Sequence, residues 1–189
     1  MSKHASRHLS LSVTATALIL LFSLSLLPKS EAQPGDRAAA GRQFETGIAE
    51  YRASPGYLAP LFSLPDTDGA VFNLEKLRGS RSVLLVFEST DCQYCRQESS
   101  ALELVAAQYG DEVSVASINP EKRSVVEAYR QDNELNRTFL LDSDGQTSLA
   151  YRALSTPVHV FINKDGFITN TVIGYLEQDQ LELYLKLAL

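Results

Sequence analysis

The apolar residues of this chain change period along its length, and the changes mark out its elements. Leu84-Leu85-Val86-Phe87 is a continuous apolar run, the signature of a strand covered on both faces. Beyond it, Leu102, Val105, Ala106 and Tyr109 recur at i, i+3, i+4 and i+7, which predicts an amphipathic helix that Gly110 can end. Glu112 to Ile118 then alternates and reads as a second strand, so the three segments form a βαβ unit. Asn119 and Pro120 supply an N-cap and a first-turn proline for a helix running to about Gln131, with Val125, Val126 and Tyr129 on its inner face. Thr138 to Leu141 is a short apolar strand bounded by the turn signal Asp142-Ser143-Asp144-Gly145. Ser155 to Ile162, with Pro157 at its entrance, and Phe167 to Ile173 flank the turn Asn163 to Gly166, which predicts an antiparallel hairpin. From Glu177 onward, Leu181, Tyr184, Leu185, Ala188 and Leu189 repeat the helical stripe and would dock on the sheet. Upstream, Leu58 to Pro65 and Ala70 to Leu74 surround the turn Asp66 to Gly69, a further hairpin leading into the core.

The first residues follow a different pattern. Lys3 and Arg7 precede an uncharged run from Leu9 to Leu27, followed by Pro28, Lys29 and the small-residue site Ser30-Glu31-Ala32. Residues 1–32 are therefore expected to be a signal peptide. The alternative is an uncleaved anchor, because the run approaches the roughly 20 residues that span a bilayer. Residues 33–56, with Pro34-Gly35 at one end, Ser54-Pro55-Gly56 at the other and an Ala-rich centre, read as a linker with a short helix from Asp36 to Arg52. One folded domain, 57–189, is expected, and 44% hydrophobic with 21% charged residues suits a single core. The net charge of −6 becomes more negative on loss of Lys3, Arg7, Lys29 and Glu31, which argues against a nucleic-acid partner.

The candidate chemistry sits where the apolar strand meets the helix. Cys92 and Cys95 are the chain's 2 cysteines, and two intervening residues allow them to close a small disulfide ring. Closing so short a loop removes little chain entropy, so structural stapling is a weak explanation for the pair. At the start of a helix, unpaired N–H groups and the dipole favour a thiolate, which makes Cys92 the expected attacking sulfur of a redox pair. Structural zinc normally takes four ligands, whereas beyond the leader the chain offers only the two cysteines and His159, expected to be an ordinary strand residue. The Asp142 and Asp144 pair is not an EF-hand loop, since Leu140 and Tyr151 stand where that loop needs ligands.

The order of strand, CxxC helix, strand, helix, strand, Thr-Pro entrance, hairpin and terminal helix resembles the thioredoxin fold. Ala59-Pro60, the Leu-Pro-Asp-Thr-Asp-Gly turn, Leu77-Arg78-Gly79, the extra helix and strand between Pro120 and Leu141, and Tyr151 before Ser155-Thr156-Pro157 narrow the likeness. They resemble the TlpA/ResA-like thiol-disulfide oxidoreductases over about residues 57–189. The resemblance implies an α/β thioredoxin-like fold with an N-terminal β-hairpin extension and a helix-strand insertion. It also implies attack by Cys92, resolution by Cys95, a cis Pro157 beside the disulfide, and backbone groups of Thr156 offered to a bound peptide. No cofactor or metal is implied. The implied partners are protein thiols and disulfides, with apocytochrome c among the candidates, and a membrane or periplasmic electron donor. The implied place is the periplasm or cell envelope, with membrane attachment only if the leader is retained.

Departures from that family are equally specific. Glu88 and Asp91 stand where tryptophans are usual, and each carboxylate would disfavour a nearby thiolate unless Arg96 compensates. Asp91 could instead cap the helix, and Glu88 could face water. Glu98, three residues after Cys95, matches an acid of the ResA-like members and would lie next to the resolving sulfur on a helix, where it could exchange a proton; it could equally be a solvated helix residue. A peroxiredoxin-like thiol peroxidase is the first rival, but Leu85 and Ser89 replace the proline and threonine of its Pro-x-x-x-Thr-x-x-Cys pattern. A non-enzymatic module for metal delivery or partner binding on a thioredoxin-like surface is the second; copper delivery would favour CxxxC spacing.

Overall fold

A computed structural model describes residues 51–189, and the expectations for 1–32 and for nearly all of the linker lie outside them. Two short strands, β1 (Ser63–Pro65) and β2 (Val71–Asn73), pair antiparallel with Leu64 opposite Phe72. A single 3-10 turn, Leu74–Leu77, leads to β3 (Ser82–Phe87), every residue of which is buried. There follow α1 (Gln93–Tyr109), β4 (Val113–Asn119), α2 (Arg123–Asp132), β5 (Thr138–Leu141), α3 (Gln146–Ala150), β6 (Val158–Ile162), β7 (Ile168–Ile173) and α4 (Gln178–Ala188). The larger sheet has the order β5-β4-β3-β6-β7. β3 is parallel to β4 and antiparallel to β6, with Leu85 opposite Ala116 on one side and Val160 on the other. The architecture is the expected mixed α/β thioredoxin-like fold with its hairpin extension and helix-strand insertion.

Strand periodicity splits the core between the two faces of this sheet. Val83, Leu85 and Phe87 join Val158, Val160, Ile162, Leu64 and Tyr151 on the hairpin side. Leu84 and Val86 join Leu102, Val105, Phe161, Leu181 and Leu185 under α1 and α4. A third cluster, Val126, Tyr129, Leu135, Phe139 and Leu141, anchors α2 to β5. The hairpin turn is tied to this insertion: Thr67 N–H donates to Phe139 O (3.0 Å), and Arg130 Nη1 donates to Thr67 Oγ1 (2.9 Å) and Asp68 Oδ1 (2.8 Å). Among the described residues no helix is long and apolar enough to cross a membrane.

Two local expectations need correction. Asn119 does not cap a helix: it is the last residue of β4, paired with Leu141, and its carbonyl accepts from Asp142 N–H. With Asn119 held in the ladder, α2 starts later, at Arg123, with Lys122 in the cap position. The turn after β5 runs directly into the short α3. Asp142 organises it, its carboxylate accepting from Thr147 N–H (3.1 Å) and from Ser148 N–H and Oγ (2.8 and 2.7 Å). A carboxylate saturated by a helix N-terminus is a capping group.

Candidate active site

β3 ends at Phe87, and the chain turns through Glu88 to Asp91 before α1 begins at Gln93. Cys92 is the N-cap: its backbone is extended, and its Sγ accepts a hydrogen bond from Cys95 N–H at 3.2 Å. Cys92 and Cys95 are disulfide-bonded, with Cα atoms 5.3 Å apart. Their environments differ. Cys92 is half-buried, whereas Cys95, one turn into the helix, retains 1% of its surface. An amide donor aimed at Cys92 Sγ stabilises negative charge there once the bond is reduced.

Thr156 and Pro157 reach the same end of the sheet from the other side. Val158, the first residue of β6, pairs with Phe87, the last of β3, so Thr156-Pro157 lies just past the point where β3 gives way to the cysteine loop. The Thr156–Pro157 peptide bond is cis, Pro157 is buried and Thr156 is exposed. Tyr94 is also exposed, at 59%.

The acids part company. Asp91 is exposed and its carboxylate accepts from Ser89 Oγ; it does not cap α1, because Cys92 occupies that position. Arg96 donates to Thr90 O at 2.9 Å. Glu88 does not face water. It keeps 1% exposure and meets the Arg137 guanidinium at 3.1 and 3.2 Å, and burial holds its carboxyl above the ordinary value of 4.5 despite that cation. Arg137 also donates to Ser117 Oγ (2.8 Å), Ser99 Oγ (3.1 Å) and Glu103 Oε1 (2.9 Å), so its fork is fully used.

Glu98 is equally far from being a solvated helix residue. It is completely buried, with Oε1 2.8 Å from His159 Nε2 and Oε2 accepting from Leu176 N–H at 3.1 Å. His159 is likewise completely buried, on the α1 side of β6 with Phe161. The expectation of an ordinary strand residue is thus corrected: His159 is the partner of the acid that follows Cys95. Sequence reasoning missed Arg137 and its partners Ser99, Ser117 and Glu103 altogether, and gave His159 no role beyond that of an ordinary strand residue. The available signal was parity, since His159 shares its face with Phe161 and Glu88 shares its face with Val86. Among the described residues no group of three or more His, Cys, Asp or Glu side chains could hold a metal ion.

Comparison with known proteins follows the same lines. Residues 55–171 match the model of the AhpC/TSA family. Thioredoxin-like protein YneN of Bacillus subtilis (strain 168) is 30% identical over 147 residues, covering 76% of this chain and 82% of that protein. Thiol-disulfide oxidoreductase ResA of the same organism is 30% identical over 139 residues, 71% of this chain and 75% of ResA. A solved structure of a secreted Mycobacterium tuberculosis disulfide oxidoreductase, described as homologous to E. coli DsbE, superposes with a TM-score of 0.60 at 26% identity, covering 66% of this chain and 94% of that one.

Proposed function

Because this chain belongs to the AhpC/TSA family and is a ResA-like thiol-disulfide oxidoreductase of the thioredoxin superfamily, we propose that it reduces protein disulfides outside the cytoplasm. Cys92 is the attacking sulfur and Cys95 the resolving one. The observation that carries this reading is the asymmetry of the pair: a half-buried cysteine at a helix N-cap, its sulfur facing an amide donor, beside a cysteine sealed in the next turn. Thiolate Cys92 attacks a partner disulfide, forming a mixed disulfide and releasing one partner thiolate. Cys95 then attacks Cys92 Sγ, restoring the intramolecular bond and releasing the second partner thiol. The exposed Thr156 at the same end of the sheet offers backbone groups to the incoming peptide.

Export is supported by the N-terminal pattern of residues 1–32 and by the secreted M. tuberculosis relative. An apocytochrome c is one protein disulfide such an enzyme would serve, with a membrane or periplasmic donor returning electrons. Peroxidase chemistry is disfavoured by Leu85 and Ser89, the first of them a fully buried strand residue.

Two measurements test the proposal. Cys92→Ser is expected to abolish disulfide exchange; residual turnover near the wild-type rate would remove Cys92 from the mechanism. The reduction potential decides direction, and a reductase is expected to lie nearer thioredoxin's roughly −270 mV than DsbA's roughly −120 mV. A value at the DsbA end would make the protein an oxidant.

A further inference from the structure

Cys92 is delivered by a turn. Its N–H donates to Ser89 O at 3.2 Å, which closes Ser89 to Cys92 with Thr90 and Asp91 as the two central residues. The N–H of the first central residue plays no part in closing such a turn. Here it is taken up from outside: Thr90 N–H donates to Glu121 Oε1 at 2.8 Å, and Thr90 Oγ1 lies 3.4 Å from the same oxygen. Thr90 O accepts from Arg96 Nη1 at 2.9 Å. Both polar backbone groups of the half-buried Thr90 are thus held by side chains of opposite charge, one beyond β4 and one in the first turn of α1. Asn119, the last residue of β4, is fixed in the ladder with Leu141, and Pro120, with its restricted φ, is the one residue between it and Glu121. The acid therefore reaches the cysteine loop from the sheet, 31 residues along the chain.

We propose that Glu121 is a positioning residue for Cys92, acting through the amide of Thr90. This rests on the reading of Cys92 as the attacking sulfur. Glu121 Oε2 is buried and has no hydrogen-bond partner among the described residues, a placement that is unfavourable for a carboxylate oxygen taken alone. What the carboxylate contributes is the bond from its other oxygen to Thr90. An ionised acceptor makes a shorter and stronger hydrogen bond than a neutral one, so it holds the turn more firmly. With Thr90 held from both sides, Cys92 keeps the extended backbone of an N-cap, and its Sγ stays where Cys95 N–H reaches it. Released from Glu121, Thr90 is held by Arg96 alone, which belongs to the helix that Cys92 caps and supplies no anchor to the sheet.

Positioning is separable from a role through charge. The charged groups of the loop are the exposed Asp91, Glu88 with its partner Arg137, and Arg96, and a carboxylate added to them would disfavour a thiolate at Cys92. Glu121→Gln and Glu121→Ala lose the same charge, while glutamine keeps an oxygen for Thr90 N–H. Whatever differs between the two variants is the hydrogen bond. Positioning is separable from partner binding too. A misplaced sulfur is slow toward every disulfide, whereas a lost contact to the partner slows only a partner large enough to have made it.

The test follows the reduced full chain in single turnovers with a small-molecule disulfide and with a disulfide-bonded peptide. Glu121→Ala is expected to slow attack about 10-fold on both, and Glu121→Gln to restore the rate to within about 3-fold of wild type. The Cys92 thiolate is titrated by its ultraviolet absorbance with Cys95→Ser added to each variant, so that one sulfur responds. It is expected to form at higher pH with Glu121→Ala than with Glu121→Gln, because the loosened turn no longer presents Sγ to the amide of residue 95. A merely structural role would lower stability and leave the two titrations equal. The wild-type protein supplies a readout that needs no variant to fold: the Thr90 amide proton is expected to be protected from solvent exchange in the oxidised and the reduced form alike. Glutamine as slow as alanine, a loss confined to the peptide, equal titrations or an unprotected Thr90 amide would overturn the proposal. If instead Cys92→Ser retained exchange, the redox reading itself would have failed, independently of Glu121.

Discussion

Two buried carboxylates lie on the same face of the sheet and have opposite partners. Glu88 is locked to Arg137, a cation that does not titrate, and Arg137 is held in turn by Ser99, Ser117 and Glu103. Glu98 is paired with His159, a residue type whose charge changes in the physiological range, and with one backbone amide. The first arrangement answers a buried carboxylate with a permanent cation; the second answers one with an imidazole and a backbone amide. The two acids also differ in their position within the motif. Glu98 is one turn from Cys95 on the same helix, whereas Glu88 belongs to the end of a core strand, where neutralisation by arginine lets a carboxylate replace an aromatic ring.

The sharpest way to break the comparison is to remove the fixed cation. Arg137→Leu leaves Glu88 buried without a counter-charge and is expected to cost about 3–5 kcal/mol in urea unfolding. Adding Glu88→Leu to it is expected to restore much of that loss, because well-packed apolar replacements of a buried pair are often neutral. A double variant as unstable as Arg137→Leu would mean that the arginine acts mainly through Glu103 and the serines.

A smaller effect is expected from Glu88→Gln, about 1–3 kcal/mol at neutral pH, since Arg137 keeps Glu103. Its pH dependence carries more information than its size. Burial raises the Glu88 carboxyl above its ordinary 4.5, so the folded chain binds this proton more tightly than the unfolded chain does. The associated stability is complete below pH 4.5 and is lost as pH climbs to the raised folded value. Glutamine has no such proton, so the stability gap between wild type and Glu88→Gln should narrow as pH rises through that window. Parallel profiles would show that Arg137 fully offsets the burial. The smallest effect belongs to Ser99→Ala, which removes one of the donors' acceptors around Arg137 and is expected to cost about 1 kcal/mol.

The strands and helices of this chain were legible because apolar period is a local property. The all-buried run at Leu84 to Phe87, the stripe on α1 and the hairpin from Val158 to Ile173 are each visible within a short window. The cysteine pair and the Thr156-Pro157 entrance were legible for the same reason. The polar layer under α1 was not, because Glu98 meets His159 across 61 residues and Glu88 meets Arg137 across 49. A charged residue read by itself defaults to solvent, and only the partner reveals that burial is tolerable. Asn119 shows the converse error. Followed by proline it has the composition of a helix start, yet the ladder with Leu141 retains it in β4. Local preference there yields to strand pairing.

The central claim is the unequal standing of the two cysteines, and trapping tests it most directly. Cys95→Ser, incubated in reduced form with a disulfide-bonded substrate peptide, is expected to accumulate a mixed disulfide through Cys92, because the sulfur of the half-buried N-cap residue attacks and nothing remains to resolve the product. Mass mapping of the adduct locates the bond. Accumulation instead in Cys92→Ser, with the partner attached through Cys95, would contradict the account.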